Sequence, residues 1–229
     1  MPDQTFREAE RAQASILAAV EKRTLLWLAR RMPPWLNSDH LTLLGFLAMF
    51  AAGLCYWIAS WNTAGLIGVM AALAINWFGD SLDGTLARVR QCQRPRYGFY
   101  VDHITDAIGT GALMLGLALS TYMTPYIALG LLVAYFLLSI EVYLATYAIG
   151  TFHMSFWKFG PTELRLLLCV GNAALFYRSR VVLMGNEYLL FDIGGAIGIA
   201  GMLSMLAWSA LRHTIALYKA EPLPRRPGI

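Results

Sequence analysis

Apolar residues in this chain come in blocks of about twenty, the length a helix needs to cross roughly 30 Å of hydrocarbon. This spacing constrains the fold more than any other feature. Six such segments lie near Leu41 to Ser60, Ala64 to Phe78, Val101 to Ser120, Pro125 to Tyr147, Leu164 to Tyr177 and Leu189 to Tyr218. Backbone in lipid must satisfy its own N–H and C=O groups, which makes helices the expected solution. Composition agrees, with 58% hydrophobic and 14% charged residues, against about 25% charged in soluble domains. The expected fold is an all-α polytopic membrane protein with six transmembrane helices. The second and fifth segments are short by hydrophobicity alone, so their polar ends are expected to continue into a protein-lined cavity or into water.

Residues 5–31 (FREAERAQASILAAVEKRTLLWLARRM) place Leu17, Val20, Thr24 and Leu28 roughly on one helical face, with charges elsewhere. The segment is too charged to span and is closed by Pro33 and Pro34. It reads as an amphipathic interfacial helix, or as a helix packed on the cytoplasmic face of the same protein. The expected organisation is therefore an N-terminal interfacial helix (1–35), a six-helix membrane domain (36–220) and a short tail (221–229), with no removable signal peptide. Sixteen of the eighteen Lys and Arg residues fall on one side of the spans. By the positive-inside rule both termini are expected to be cytoplasmic. The basic loops suit an anionic lipid surface, and no aromatic-rich basic module points to nucleic acid. Cys55, Cys92 and Cys169 include no CxxC pair and read as unpaired thiols. Gly194, Gly198 and Gly201 read as close-packing positions. Asp192 and Glu187 are expected to be solvated at the far face, and no chemistry is assigned to His40, His153 or His213.

Against this apolar background, DSLDGTLARVRQCQRPRYGFYVDHITD (residues 80–106) puts four aspartates at the cytoplasmic edges of spans two and three. Asp80 and Asp83 are three apart and Asp102 and Asp106 four apart, so each pair shares one face of its helix. A short connection joins the two helices, which lets all four carboxylates converge. Two such charges about 6 Å apart repel by about 3 kcal/mol at an effective dielectric near 20. Each Asp at membrane depth costs roughly 2.5 to 3.5 kcal/mol more. Divalent cations are the natural compensation, because an all-oxygen, carboxylate-rich set suits hard ions such as Mg²⁺, Mn²⁺ or Ca²⁺, and two of them can clamp a diphosphate. Gly84 and Ala87 keep the same helical face low, Arg88 offers a bidentate phosphate donor, and Gly98 clears space one turn before Asp102. His103 points to another face and is expected to pack rather than ligate.

Asp80, Asp83, Gly84, Ala87, Arg88, Gly98, Asp102 and Asp106 fit DxxDGxxAR, a gap, then GxxxDxxxD. In order and spacing this resembles the signature of the CDP-alcohol phosphotransferase family. The resemblance implies a Mg²⁺- or Mn²⁺-dependent two-metal reaction in which an acceptor hydroxyl attacks the β-phosphorus of a CDP-linked donor and CMP leaves. It further implies that Asp80, Asp83 and Asp102 hold the metals, and that Asp106 is both a metal neighbour and the general base. Gly84, Ala87 and Arg88 would border the CMP moiety, and the protein would be a homodimer. Asp39 stands where the family often has Asn, so no nucleotide role is carried onto it.

Two other enzyme or carrier classes also use intramembrane acids: prenyltransferases acting on a diphosphate, and cation transporters. A transporter needs no Gly, Ala and Arg at these offsets, and a prenyltransferase would be expected to carry two separated motifs on a longer chain. Selectivity is placed on SFWKFGPTELR (155–165), where Lys158, Glu163 and Arg165 approach the same pocket mouth. Glu163 interrupts the basic set, which favours an uncharged or amine-bearing alcohol over a phosphorylated one. The lipid can enter on the donor or on the acceptor.

Overall fold

The computed structural model describes residues 18–149, 161–221 and 223. Within them the chain forms α1 (Ala18–Ala29), α2 (Ser38–Ala59), α3 (Gly65–Val89), α4 (Pro95–Leu119), α5 (Pro125–Ile149), α6 (Pro161–Leu175), a hairpin of β1 (Arg180–Leu183) and β2 (Asn186–Leu189), and α7 (Leu190–Ala220). Helices α2 to α7 coincide with the six apolar segments. Four of them, α2, α3, α5 and α7, are long and apolar enough to cross a bilayer. Helix α4 carries Arg96, Asp102 and Asp106 in its first half, and α6 has only 15 residues. The protein is thus mostly helical and polytopic in character, and exposed apolar side chains run the length of α5 at Leu129, Val133, Leu137, Ile140 and Leu144. The hairpin amends the all-α expectation. Its two-residue loop, Met184 and Gly185, has positive φ at both positions (50° and 84°), the geometry of a type I′ turn that twists in the same sense as the strands it joins.

Helix α2 is the centre of the arrangement. It begins at a reciprocal cap, in which the Asn37 side chain accepts from the His40 amide (3.0 Å) and the Asn37 amide donates to His40 Nδ1 (3.3 Å). Its backbone then meets two neighbours almost directly. A Cβ added at Gly79 of α3 would lie 2.6 Å from the Gly45 nitrogen, and one at Gly116 of α4 would collide with the Gly53 carbonyl. Small residues at such crossings let helices in lipid gain dispersion energy that apolar burial cannot supply there. Of the three glycines expected to pack closely, Gly198 meets Leu131 of α5, whereas Gly194 and Gly201 face open space and Gly195 takes the tight position under Ile127. The outer core gathers Tyr56, Leu66, Val69, Leu73, Leu113 and Leu117. The three cysteines are unpaired.

One far-side expectation needs correction. Asp192 is structural: at the start of α7 it accepts from the Thr124 amide (2.7 Å) and from the Thr124 hydroxyl, capping the entry to α5. Glu187 remains exposed, 3.8 Å from Arg180. His213, given no role from sequence, lies 2.7 Å from Glu141 Oε1, which also accepts from Ser209 (2.9 Å), so a polar cluster ties α5 to α7.

Helix α1 packs against the ends of α2 and α3 through Leu25 and Ala29, which meet Leu41, Leu82 and Leu86. The expected apolar face is therefore rotated by about one residue. Val20 and Thr24 are exposed, while Glu21, Leu25 and Ala29 define the inward side. Leu17 and the rest of the segment before residue 18 lie outside the described residues.

Candidate active site

Helix α3 does not stop where its apolar run ends. It continues through Asp80, Asp83, Gly84, Ala87 and Arg88, and α4 starts at Pro95, early enough that Gly98, Asp102 and Asp106 are all helical. The i, i+3 and i, i+4 spacings then turn these carboxylates toward one another. Asp80, Asp102 and Asp106 each present an oxygen, and the three oxygens lie within 4.8 Å of one another. This is the only group of metal-ligating side chains found among the described residues. Ligand oxygens on opposite sides of an octahedral Mg²⁺ with bonds of about 2.1 Å are about 4.2 Å apart. The donor set is hard, oxygen-only and close to that spacing, so it fits a small divalent cation.

Asp83 is buried and held differently. Its carboxylate accepts from Thr42 Oγ1 of α2 (2.5 Å) and from the Gly84 amide, and its backbone carbonyl accepts from Ser38 Oγ (3.0 Å). The convergence expected of four carboxylates is thus a cluster of three, with the fourth fastened to α2 beside it.

A cation faces the cluster. Arg165 of α6 lies with Nη2 2.5 Å from Asp80 Oδ2, while its Nε donates to Asn76 Oδ1 (2.7 Å). Asn76, one turn before Asp80 and only 3% exposed, in turn donates to the Gly45 carbonyl (3.0 Å). The chain from Gly45 through Asn76 and Arg165 to Asp80 orients the guanidinium at both edges of its planar fork. Sequence reasoning named Arg165 but missed Asn76 and Thr42. The available signals were a buried-range amide at i−4 from Asp80, and the hydroxyls of the SDHLTLLG stretch. A small cavity opens here, lined by Thr42, Gly45, Asn76, Asp80, Thr105 and Asp106.

The remaining expected residues lie around this centre. The Arg88 guanidinium lies over Gly84, where an added Cβ would be 3.4 Å from Nη1, and Nη2 donates to Thr85 Oγ1 (3.1 Å). Ala87 is half-buried, and Gly98 has open space where a Cβ would stand. His103 packs between Phe99 and Tyr143, with ring centroids 4.1 and 5.0 Å away, as expected for a packing role. Asp39 pairs with Arg94 at the exposed mouth. Glu163 is buried near the start of α6. Lys158 lies outside the described residues.

Comparison with known proteins covers the same region of the chain. Residues 35–211 match the family model described as CDP-alcohol phosphatidyltransferase. A curated relative, the archaetidylinositol phosphate synthase of Methanothermobacter thermautotrophicus, is 33% identical over 105 residues, which cover 44% of this chain and 51% of the relative. The chain therefore spans about half the length of that relative. The family match contains the aspartate cluster, both glycine crossings of α2, and Arg165. With three carboxylates gathered at the ends of two lipid-length helices and more than three quarters of the chain within the match, this protein belongs to the CDP-alcohol phosphatidyltransferase family.

Proposed function

We propose that the protein is an integral membrane CDP-alcohol phosphotransferase of phospholipid biosynthesis. The observation that carries the reading is the cluster of Asp80, Asp102 and Asp106 carboxylates facing a guanidinium on a third helix. Asp80, Asp102 and Asp106 would hold two divalent ions, Mg²⁺ or Mn²⁺, with Asp83 as a further carboxylate ligand beside them. Such ions, when bound, neutralise the diphosphate and stabilise charge on the departing phosphate.

The chain's own residues do the rest. Gly84 and Ala87 leave a low face for the CMP moiety, and Arg88 takes its phosphates. Asp106, on the cavity wall, accepts the proton of the acceptor hydroxyl. The acceptor oxygen forms its bond to the β-phosphorus, and the bond from that phosphorus to the bridging oxygen breaks, so that CMP departs with the bridging oxygen. Asn76 and the Gly45 carbonyl fix the direction of Arg165, which offers donors to a phosphate in the cavity.

In this reading all six helices α2 to α7 cross the membrane and α1 lies at the interface. Both termini and the site face the cytoplasm, and two copies form a homodimer. The relative's name puts inositol phosphate among the acceptors to try, against the uncharged or amine-bearing alcohols that Glu163 favours.

The test is to incubate purified protein and Mg²⁺ with a panel of CDP-linked donors and alcohol acceptors while following CMP. Metal-dependent CMP release with one donor–acceptor pair is expected. Release of pyrophosphate from an added prenyl diphosphate, without CMP from any CDP-linked donor, would point to prenyl transfer, and no transfer with any pair would reject the reading.

A further inference from the structure

Resting on that reading, we propose that Glu21 of α1 is a positioning residue for the reaction, acting through Arg165. Its Oε1 accepts from Trp77 Nε1 of α3 (2.9 Å) and from Thr162 Oγ1 of α6 (2.6 Å). Trp77 stands three residues before Asp80, and Thr162 three residues before Arg165. One carboxylate thus ties α3 to α6 about one helical turn from the point where Arg165 meets Asp80 and Asn76.

Such a tie matters because it bears on the register of α6 beside the site. That helix is 15 residues long and packs mainly on α3. A further polar tie, from Asn172 Nδ2 to the Tyr56 hydroxyl (2.8 Å), holds α6 near its far end. Between helices in lipid, apolar burial gives no preference for one axial register over another, so hydrogen bonds and close packing must set it. A slip of one residue moves a side chain by about 1.5 Å along the axis and turns it by about 100°, which would take Arg165 off Asp80. Glu21 itself is delivered by hydrophobic docking, since it lies on the inward side of α1 with Leu25 and Ala29 at i+4 and i+8.

The experiment combines CMP release with Mn²⁺ binding followed by electron paramagnetic resonance, in full-length protein in detergent. Glu21→Ala and Thr162→Val should each lower kcat/KM by about 30- to 100-fold, mostly in kcat, the loss expected when a phosphate-binding group is misplaced by about 1 Å. Glu21→Gln keeps a carbonyl oxygen for both donors and should stay within about threefold of wild type. Glu21→Ala combined with Arg165→Ala should be no worse than Arg165→Ala alone. In the Mn²⁺ assay, Arg165→Ala and Glu21→Ala should each bind the ion about tenfold more tightly, because a competing cation leaves Asp80 or is loosened from it. Losses that multiply in the double variant, or a Gln variant as damaged as the Ala variant, would overturn the proposal. If no variant and no wild-type sample releases CMP while the Mn²⁺ shifts occur, the enzymatic reading fails and the tie from Glu21 to Arg165 stands. Unchanged Mn²⁺ affinity in Glu21→Ala beside a shift in Arg165→Ala would reject the tie.

Discussion

Removing one aspartate from the cluster should stabilise the metal-free protein, and the effect should depend on which aspartate is removed. Asp80, Asp102 and Asp106 present oxygens within 4.8 Å of one another. At an effective dielectric near 20, two full charges at that separation repel by about 3.5 kcal/mol. Side-chain relaxation and screening leave about 1 to 3 kcal/mol of relief from neutralising one member. Asp106→Asn removes a charge that no ion pair among the described residues claims. Asp80→Asn instead strands Arg165, whose guanidinium is only 15% exposed and depends on that carboxylate. The loss of the pair cancels or exceeds the relief. For a chain of this size about 1 kcal/mol corresponds to about 2 to 4 °C. In EDTA, Asp106→Asn should therefore melt about 3 to 10 °C above wild type in detergent, and Asp80→Asn at or below it. Adding Mg²⁺ should raise the wild-type transition and narrow or reverse the gap, because ligand binding to the folded state stabilises by mass action. Two results would refute the reasoning: a lower melting point for Asp106→Asn in EDTA, or an equal Mg²⁺-induced rise in Asp106→Asn and wild type.

Three further outcomes are expected. Asp106→Asn should lower single-turnover CMP formation by at least about 100-fold while changing donor affinity far less, since general-base catalysis acts on the chemical step; equal losses in both would make it a metal ligand alone. Thr42→Val frees the Asp83 carboxylate from its charge-assisted bond of 2.5 Å and should reduce kcat/KM by about tenfold with Asp83 still present, as steady-state kinetics can check. Gly116→Val drives a side chain into the Gly53 carbonyl and should cost about 3 kcal/mol or more, whereas Gly111→Ala enters open space on the same helix and should be neutral within about 0.5 kcal/mol. Thermal unfolding in one detergent compares the two.

The aspartate centre was legible because charges at helical spacing inside lipid-length apolar blocks have few structural explanations. Asn76 and Thr42 were not, since a single amide or hydroxyl in a spanning helix can satisfy itself on its own backbone. Only the approach of α2 shows that these two reach another element. The face of α1 was misread by one residue because apolar residues alone were counted, while the true inward side includes Glu21, which has polar partners. The hairpin had a local signal in Met-Gly between short apolar runs, but so brief an element at a membrane edge is easily taken as loop. The role of Asp192 depended on Thr124, 68 residues away in sequence, and no local pattern carries that pairing.

The two glycine crossings of α2 divide the protein mechanically. At Gly45–Gly79 and Gly53–Gly116 the backbones of α2, α3 and α4 are so close that neither aspartate-bearing helix can slide against the central one without steric collision. Those three helices behave as a single splint carrying all four carboxylates. Helix α6 is fastened to that splint by side chains, Asn172 and Arg165 directly and Thr162 through Glu21 of α1, which in turn holds Trp77 of α3. The distances among the carboxylates are thereby set independently of the helix that presents Arg165. On the proposed reading, changes in α6 away from Arg165 should alter acceptor choice while the distances among Asp80, Asp102 and Asp106 stay fixed, so libraries aimed at new acceptors belong there, and the glycine face of α2 should be left untouched.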